Sequence, residues 1–121
     1  DEFDQAACLI LFASAEAELR IDFHDRVENK YKDPLSKSFR KLWKEKKRIR
    51  LDELLDKCVE NNQNAKKNAS DFKGLKNHRD WLAHGRYWEP DLGRKRSSYN
   101  PDYYEKVLSL MFDALGLRSA Q

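Results

Sequence analysis

An all-helical bundle of four to five helices is the fold this sequence predicts, on three observations. The chain holds 15 Leu and 10 Ala against three Val, three Ile and no Thr. Leu and Ala lose little freedom in a helix, whereas branched residues favour strands. Apolar residues recur three or four positions apart, the period of a helix with one buried stripe. Finally, 40% of the residues are hydrophobic and 37% charged, a balance that suits slim helices with broad solvated faces. The 121 residues fit a single domain over 1–121. That length buries a core without disulfides or a structural metal.

The first helix is expected from Glu2 to about Lys30, with Phe12, Ala15, Leu19, Phe23 and Val27 as its apolar stripe. Asp33-Pro34 marks a break and a restart, because Asp caps and Pro suits the first helical position. A second helix is expected from Pro34 to Ile49, and a third from Leu51 to Glu60 with Leu51, Leu54, Leu55 and Cys58 on one side. Asn61 to Asn64 reads as a polar loop, with a frayed helix end as the alternative. Ser70 is the expected cap of a fourth helix carrying Phe72, Leu75, Arg79 and Leu82. Gly74 within it suggests close packing against another backbone. Glu89 to Ser98 reads as a loop, from Pro90, Gly93 and Ser97-Ser98. Asn100-Pro101 should cap a last helix that buries Tyr104, Val107, Leu108, Met111, Phe112 and Leu115, and Gly116 should end it.

Cys8 and Cys58 have the spacing of neither a metal site nor a disulfide framework, so buried free thiols are expected. They fit a reducing, cytoplasmic setting. No apolar run approaches the length of a membrane span, and no secretory leader is read. The first residue is Asp1 rather than Met, so a piece excised from a longer protein is expected.

The informative stretch is Leu75-Lys76-Asn77-His78-Arg79-Asp80-Trp81-Leu82-Ala83-His84-Gly85. It pairs a permanently charged, planar guanidinium with an imidazole that titrates near neutral pH. RNA cleavage by its own 2′-hydroxyl needs one proton removed and one supplied, which His can do. It also gathers negative charge on phosphoryl oxygens, which Arg can match. No cofactor is called for, and no cluster of metal ligands is read. Five helical residues advance about 7.5 Å and turn about 140°. Arg79 and His84 therefore leave the helix in different directions, while Asp80 and His84 share a face.

The stretch resembles the signature of HEPN domains, in which an Arg is followed four to six residues later by a His, late in the penultimate helix. Asp80 stands where that family frequently has Asn. The resemblance covers most of the chain in architecture and about a dozen residues in identity. It implies a metal-independent endoribonuclease of toxin or defence type. It also implies a homodimer in which two motif helices line one cleft, and a restraining partner such as an antitoxin. Arg79 would then stabilise the phosphoryl transition state, His84 would transfer protons and Asp80 would orient or polarise. Glu16 and Arg20 on the first helix are candidates to brace the site, beside the plainer reading of a solvated face. His78 is expected to be exposed, with contact to substrate as its functional reading. Trp81, Tyr87 and Trp88 would serve as interface anchors or a stacking platform. The plain alternative for the motif is surface charge at Arg79 and Asp80, with His84 closing the helix end. The alternative at the level of function is a non-catalytic module that binds RNA or nucleotide, or mediates assembly.

The net charge is +3, yet the cations cluster. Arg40, Lys44, Lys46, Lys47 and Arg48 lie in one segment with Lys37, Lys41 and Arg50. Arg86, Arg94, Lys95 and Arg96 follow the motif. Such clusters suit a polyanion such as RNA, with a solvated face as the alternative. Trp43 is expected to pack on the core rather than stack on a base. His24, among Asp22, Asp25 and Arg26, is expected to be solvated.

Overall fold

A computed structural model describes residues 2–46, 48–84 and 98–116. They form five α-helices and no strand: α1 Glu2–Asn29, α2 Pro34–Glu45, α3 Leu51–Asn61, α4 Lys66–Ala83 and α5 Pro101–Leu115. Helix α1 is the spine, packed against α2, α4 and α5, while α3 bridges α2 and α4. The expected stripe of α1 faces inward at Phe12, Ala15, Leu19 and Phe23, with Val27 partly buried beside it. Phe12 stacks on Phe72 of α4 with ring centroids 5.0 Å apart, and Phe23 meets Phe39 of α2 edge-on. Tyr104, Val107, Leu108, Met111 and Leu115 of α5 close the core, with Phe112 partly buried. Among the described residues no helix is long and apolar enough to cross a membrane.

Three helix boundaries depart from expectation, each for a packing reason. Helix α2 stops at Glu45 rather than Ile49. Ile49 turns into the core instead, and the Glu53 side chain accepts a hydrogen bond from the Arg50 amide to start α3. The expected loop at Asn61–Asn64 is mostly helical: α3 runs to Asn61, and Gln63–Ala65 form a 3-10 turn. Asn62 is pinned there because its side-chain amide donates to the Ala114 carbonyl at 2.8 Å. Helix α4 then begins at Lys66, so Ser70 lies within it and is not its cap. The buried positions Ala65, Ala69, Phe72 and Leu75 explain the early start, since the apolar stripe begins at Ala65. Gly74 makes room for a side chain, not a backbone: a Cβ there would sit 3.2 Å from the Tyr99 hydroxyl.

The caps of α2 and α5 match expectation. Asp33 accepts from the Ser36 amide, and Asn100 accepts from the Tyr103 amide at 2.9 Å. Gly116 adopts the left-handed conformation, φ 59°, that ends α5.

Sequence reasoning missed a buried ion cluster. Asp22 and Arg26, charged neighbours of His24 in the sequence, are 1% and 5% exposed. The Arg26 Nε donates to Asp22 Oδ2 at 2.8 Å, and its Nη1 donates to Asp33 Oδ2 at 2.8 Å and to Ser36 Oγ at 3.2 Å. Nη2 reaches the Gly116 carbonyl at 3.4 Å. One guanidinium thereby ties together α1, the start of α2 and the end of α5.

Candidate active site

Arg79 leaves the last turns of α4 toward α1. Its guanidinium carbon lies 4.4 Å from the centroid of the Phe12 ring, close enough for cation–π attraction. Its Nε donates to Asp80 Oδ1 at 2.8 Å, and Nη1 lies 3.6 Å from Glu16 Oε1. The side chain remains 25% exposed, so it is oriented on three sides and still open to solvent.

Glu16 and Arg20 do gather at this arginine. Arg20 pairs with Glu16 at 3.4 Å, and its Nη1 donates to the Ile49 carbonyl at 3.2 Å. On the other flank, Lys76 lies 3.9 Å from Asp80 Oδ2 and 3.8 Å from Asp52 Oδ2. The result is a strip of alternating charge, Asp52, Lys76, Asp80, Arg79, Glu16 and Arg20, running from α3 across α4 to α1. Oδ1 of Asp52, at the end of that strip, is buried with no hydrogen-bond partner among the described residues. Lys76, Asp52 and Phe12 were not foreseen as site residues. The four-residue spacing of Lys76 and Asp80 was the signal for the first. Phe12 belongs to the apolar stripe of α1 and serves the core and the arginine together.

His84 is the C-cap of α4: its backbone N–H donates to the Asp80 carbonyl at 3.0 Å, and its side chain is exposed. It follows the last regular turn of the helix that carries Arg79.

His78 overturns expectation. It is 4% exposed, with Nδ1 2.6 Å from the Tyr104 hydroxyl and its ring stacked on Tyr99 at 4.6 Å. The Tyr104 oxygen also lies 3.4 Å from the Leu75 carbonyl. Burial pushes the Tyr104 phenol well above its ordinary pKa, so it stays neutral and serves as a hydrogen-bonding group. His78 is therefore a core residue tying α4 to α5 rather than an exposed one. Trp81 is likewise buried, at 8% exposure and against His78, which removes it as an interface anchor or stacking platform. Its place in the apolar register of α4, three residues past His78, is the cause.

Of the cations assigned to RNA, Lys44 and Arg48 are exposed. Arg40 is partly buried, donating to the Tyr31 carbonyl at 2.7 Å and so closing the turn between α1 and α2. Lys46 is ion-paired with Glu53, whose carboxyl this hydrogen bond holds below its ordinary pKa. Lys47, Arg86, Arg94, Lys95 and Arg96 lie outside the described residues, as do Tyr87 and Trp88. Among the described residues no three His, Cys, Asp or Glu side chains gather as a metal ion would need. Comparison with family models, curated proteins and solved structures finds no match for this chain.

Proposed function

We propose that the chain is a metal-independent endoribonuclease of HEPN type, with Arg79 and His84 as its working pair. The observation that carries the reading is the seat of Arg79. Its guanidinium rests on Phe12 and is aimed by Glu16 and Asp80, yet a quarter of it is open to solvent beside the helix end that His84 caps. Ion pairs at this exposure are each worth about 0–1 kcal/mol. A phosphate can therefore replace a carboxylate on Arg79 at small cost, and a bidentate Arg–phosphate contact is stronger than the pair it replaces.

The reaction follows from the groups. The 2′-hydroxyl oxygen attacks the adjacent phosphorus. The new O2′–P bond forms as the P–O5′ bond breaks, leaving a 2′,3′-cyclic phosphate and a 5′-hydroxyl. His84 takes the proton of the attacking hydroxyl while water protonates the leaving oxygen, or it protonates the leaving oxygen while water takes the hydroxyl proton. Arg79 stabilises charge on the non-bridging oxygens, and Asp80 keeps the guanidinium in orientation.

Because five helical residues turn about 140°, the proposal includes a homodimer in which motif helices meet about a twofold axis, so that one cleft draws on both copies. A restraining protein partner belongs to the same proposal.

One observation favours a second reading. The strip around Arg79 balances three cations with three acids, so its charge is already matched. A chain whose arginine is held for structure would be a non-catalytic RNA-binding or assembly module. End-group analysis separates the two. Labelled RNA incubated with the protein in excess EDTA should yield fragments ending in 2′,3′-cyclic phosphate or its 3′-phosphate hydrolysis product. Cleavage that vanishes with chelation, or fragments with 3′-hydroxyl ends, would contradict this mechanism.

A further inference from the structure

Helix α1 carries a second apolar stripe on the side away from the core. Phe3, Ala6, Ile10, Ala13, Ala17 and Ile21 are all exposed, and the large ones strongly so: Phe3 88%, Ile10 66% and Ile21 60%. Their spacings of three and four place all six within an arc of about 80°, roughly opposite the buried Phe12, Ala15, Leu19 and Phe23. No other residue from Glu2 to Ile21 falls in that arc, so no charge interrupts about five turns of helix. The other exposed large apolar side chains, Trp43 and Leu110, stand singly on α2 and α5, Trp43 against the expectation that it packs on the core. Single exposed apolar residues are ordinary, whereas a continuous row marks an interaction surface. A narrow seam of this spacing is what one helix offers to another.

The stripe is complementary to itself. Glu2 and Arg20 lie at its two ends on the same flank, Glu2 exposed and Arg20 partly so. Two α1 helices laid antiparallel and centred between Leu11 and Phe12 set Glu2 of each copy opposite the Arg20 of the other. The same register sets Ala6 opposite Ala17 and Ile10 opposite Ala13, with Phe3 beside Ile21 at each end. Large side chains thus meet small ones in the middle of the seam, as interdigitating helices require. A twofold axis makes each of these pairs twice, so one patch serves both copies. A parallel pair would instead set Glu2 on Glu2 and Arg20 on Arg20, like charge on like charge at both ends.

We propose that the exposed stripe of α1 is a self-association surface that takes the α1 helix of a second copy, antiparallel about a twofold axis. This names the surface of the homodimer proposed above. Glu16 and Arg20 border the stripe on the flank that faces Arg79. A twofold axis across the seam keeps that flank on one side of the pair. Both Arg79 seats then open to the same side, with the two Glu16 residues about 14 Å apart along the helix axis. The shared cleft rests on the nuclease reading above; the pairing of α1 does not.

The test places single cysteines on the stripe of the full chain and treats the protein with a short bismaleimide. Ala6→Cys mixed with Ala17→Cys should give covalent dimers that hold one chain of each. Either variant alone should give few, because like positions lie about 16 Å apart in the antiparallel pair. Native Cys8 and Cys58 are buried, and the parent chain sets the background. Ile10→Glu should raise the Kd of the dimer by at least about 100-fold, since the seam would then bury two unpaired carboxylates. Light scattering on dilution reads that change, at unchanged helical circular dichroism. A wild-type chain that is monomeric at micromolar concentration overturns the proposal and gives the stripe to another occupant. So does an Ile10→Glu dimer as tight as wild type, or Ala6→Cys that crosslinks to itself as readily as to Ala17→Cys. Cleavage of RNA is measured separately. Cleavage by a chain that does not pair through α1 sinks the surface and spares Arg79 and His84 as the working pair. Pairing through α1 with no cleavage does the reverse.

Discussion

At the scale of single residues, the largest energetic commitment is Arg26. A buried charge is tolerated when its partners satisfy it, and removing one partner strands the other. Asp22→Ala should therefore cost about 3–5 kcal/mol, read as a fall in the urea midpoint. A loss below about 1 kcal/mol would mean that Asp33, Ser36 and the Gly116 carbonyl suffice for the guanidinium. The sequence carried a signal for this cluster: Ala15, Leu19, Asp22 and Arg26 continue the buried face at spacings of four, three and four. Charge at 22 and 26 masked the pattern, because composition treats charged residues as solvated until a partner such as Asp33 is known. The thiols were easier to read. Cys8 and Cys58 are buried and free, and burial pushes them up to about 11 and about 12. Little thiolate exists at pH 8, so a thiol reagent should react at the rate of unfolding. Rapid labelling of both in native buffer would contradict their burial. His78 shows the opposite failure. Its place beside Arg79 suggested function, whereas its partners Tyr99 and Tyr104 come from some 20 or more residues away, and no local pattern announces such a contact.

At the scale of elements, the start of α2 couples stability to pH. Burial tends to raise the Asp33 carboxyl, but hydrogen bonds from Ser36 and the nearby Arg26 charge outweigh it and hold the pKa below the ordinary value. A folded pKa below the unfolded one stabilises the fold above the unfolded pKa. That contribution is lost as pH falls through the folded pKa. Asp33→Asn should thus be less stable than wild type at pH 7. The difference should close as pH falls below about 4, as measured by thermal unfolding across pH. A difference that stays constant with pH would remove Asp33 as the titrating group. The helices themselves were legible because Asp33-Pro34, Asn100-Pro101 and Gly116 are local signals whose chemistry acts within one turn. The end of α2 and the start of α4 were not, because both are decided by distant burial of Ile49, Ala65 and Ala69. The spacing of Arg79, Asp80 and His84 was likewise local. That Glu16 reaches Arg79 depends on how α1 crosses α4, which a single sequence leaves open.

At the scale of the whole molecule, the proposed site requires a second copy. Light scattering at micromolar concentration should give about twice 14.4 kDa. Mixing Arg79→Ala with His84→Ala under subunit exchange should restore activity if one cleft takes Arg from one chain and His from the other. A monomer with full activity would contradict the shared cleft. The central claim is that Arg79 and His84 cleave RNA, and initial rates of cleavage in excess EDTA test it most directly. Wild type, Arg79→Ala and His84→Ala should be compared at equal helical circular dichroism. Wild type should cleave, and each variant should be slower by at least about 100-fold. A wild-type protein that leaves RNA intact, or variants that cleave at the wild-type rate, would contradict the claim.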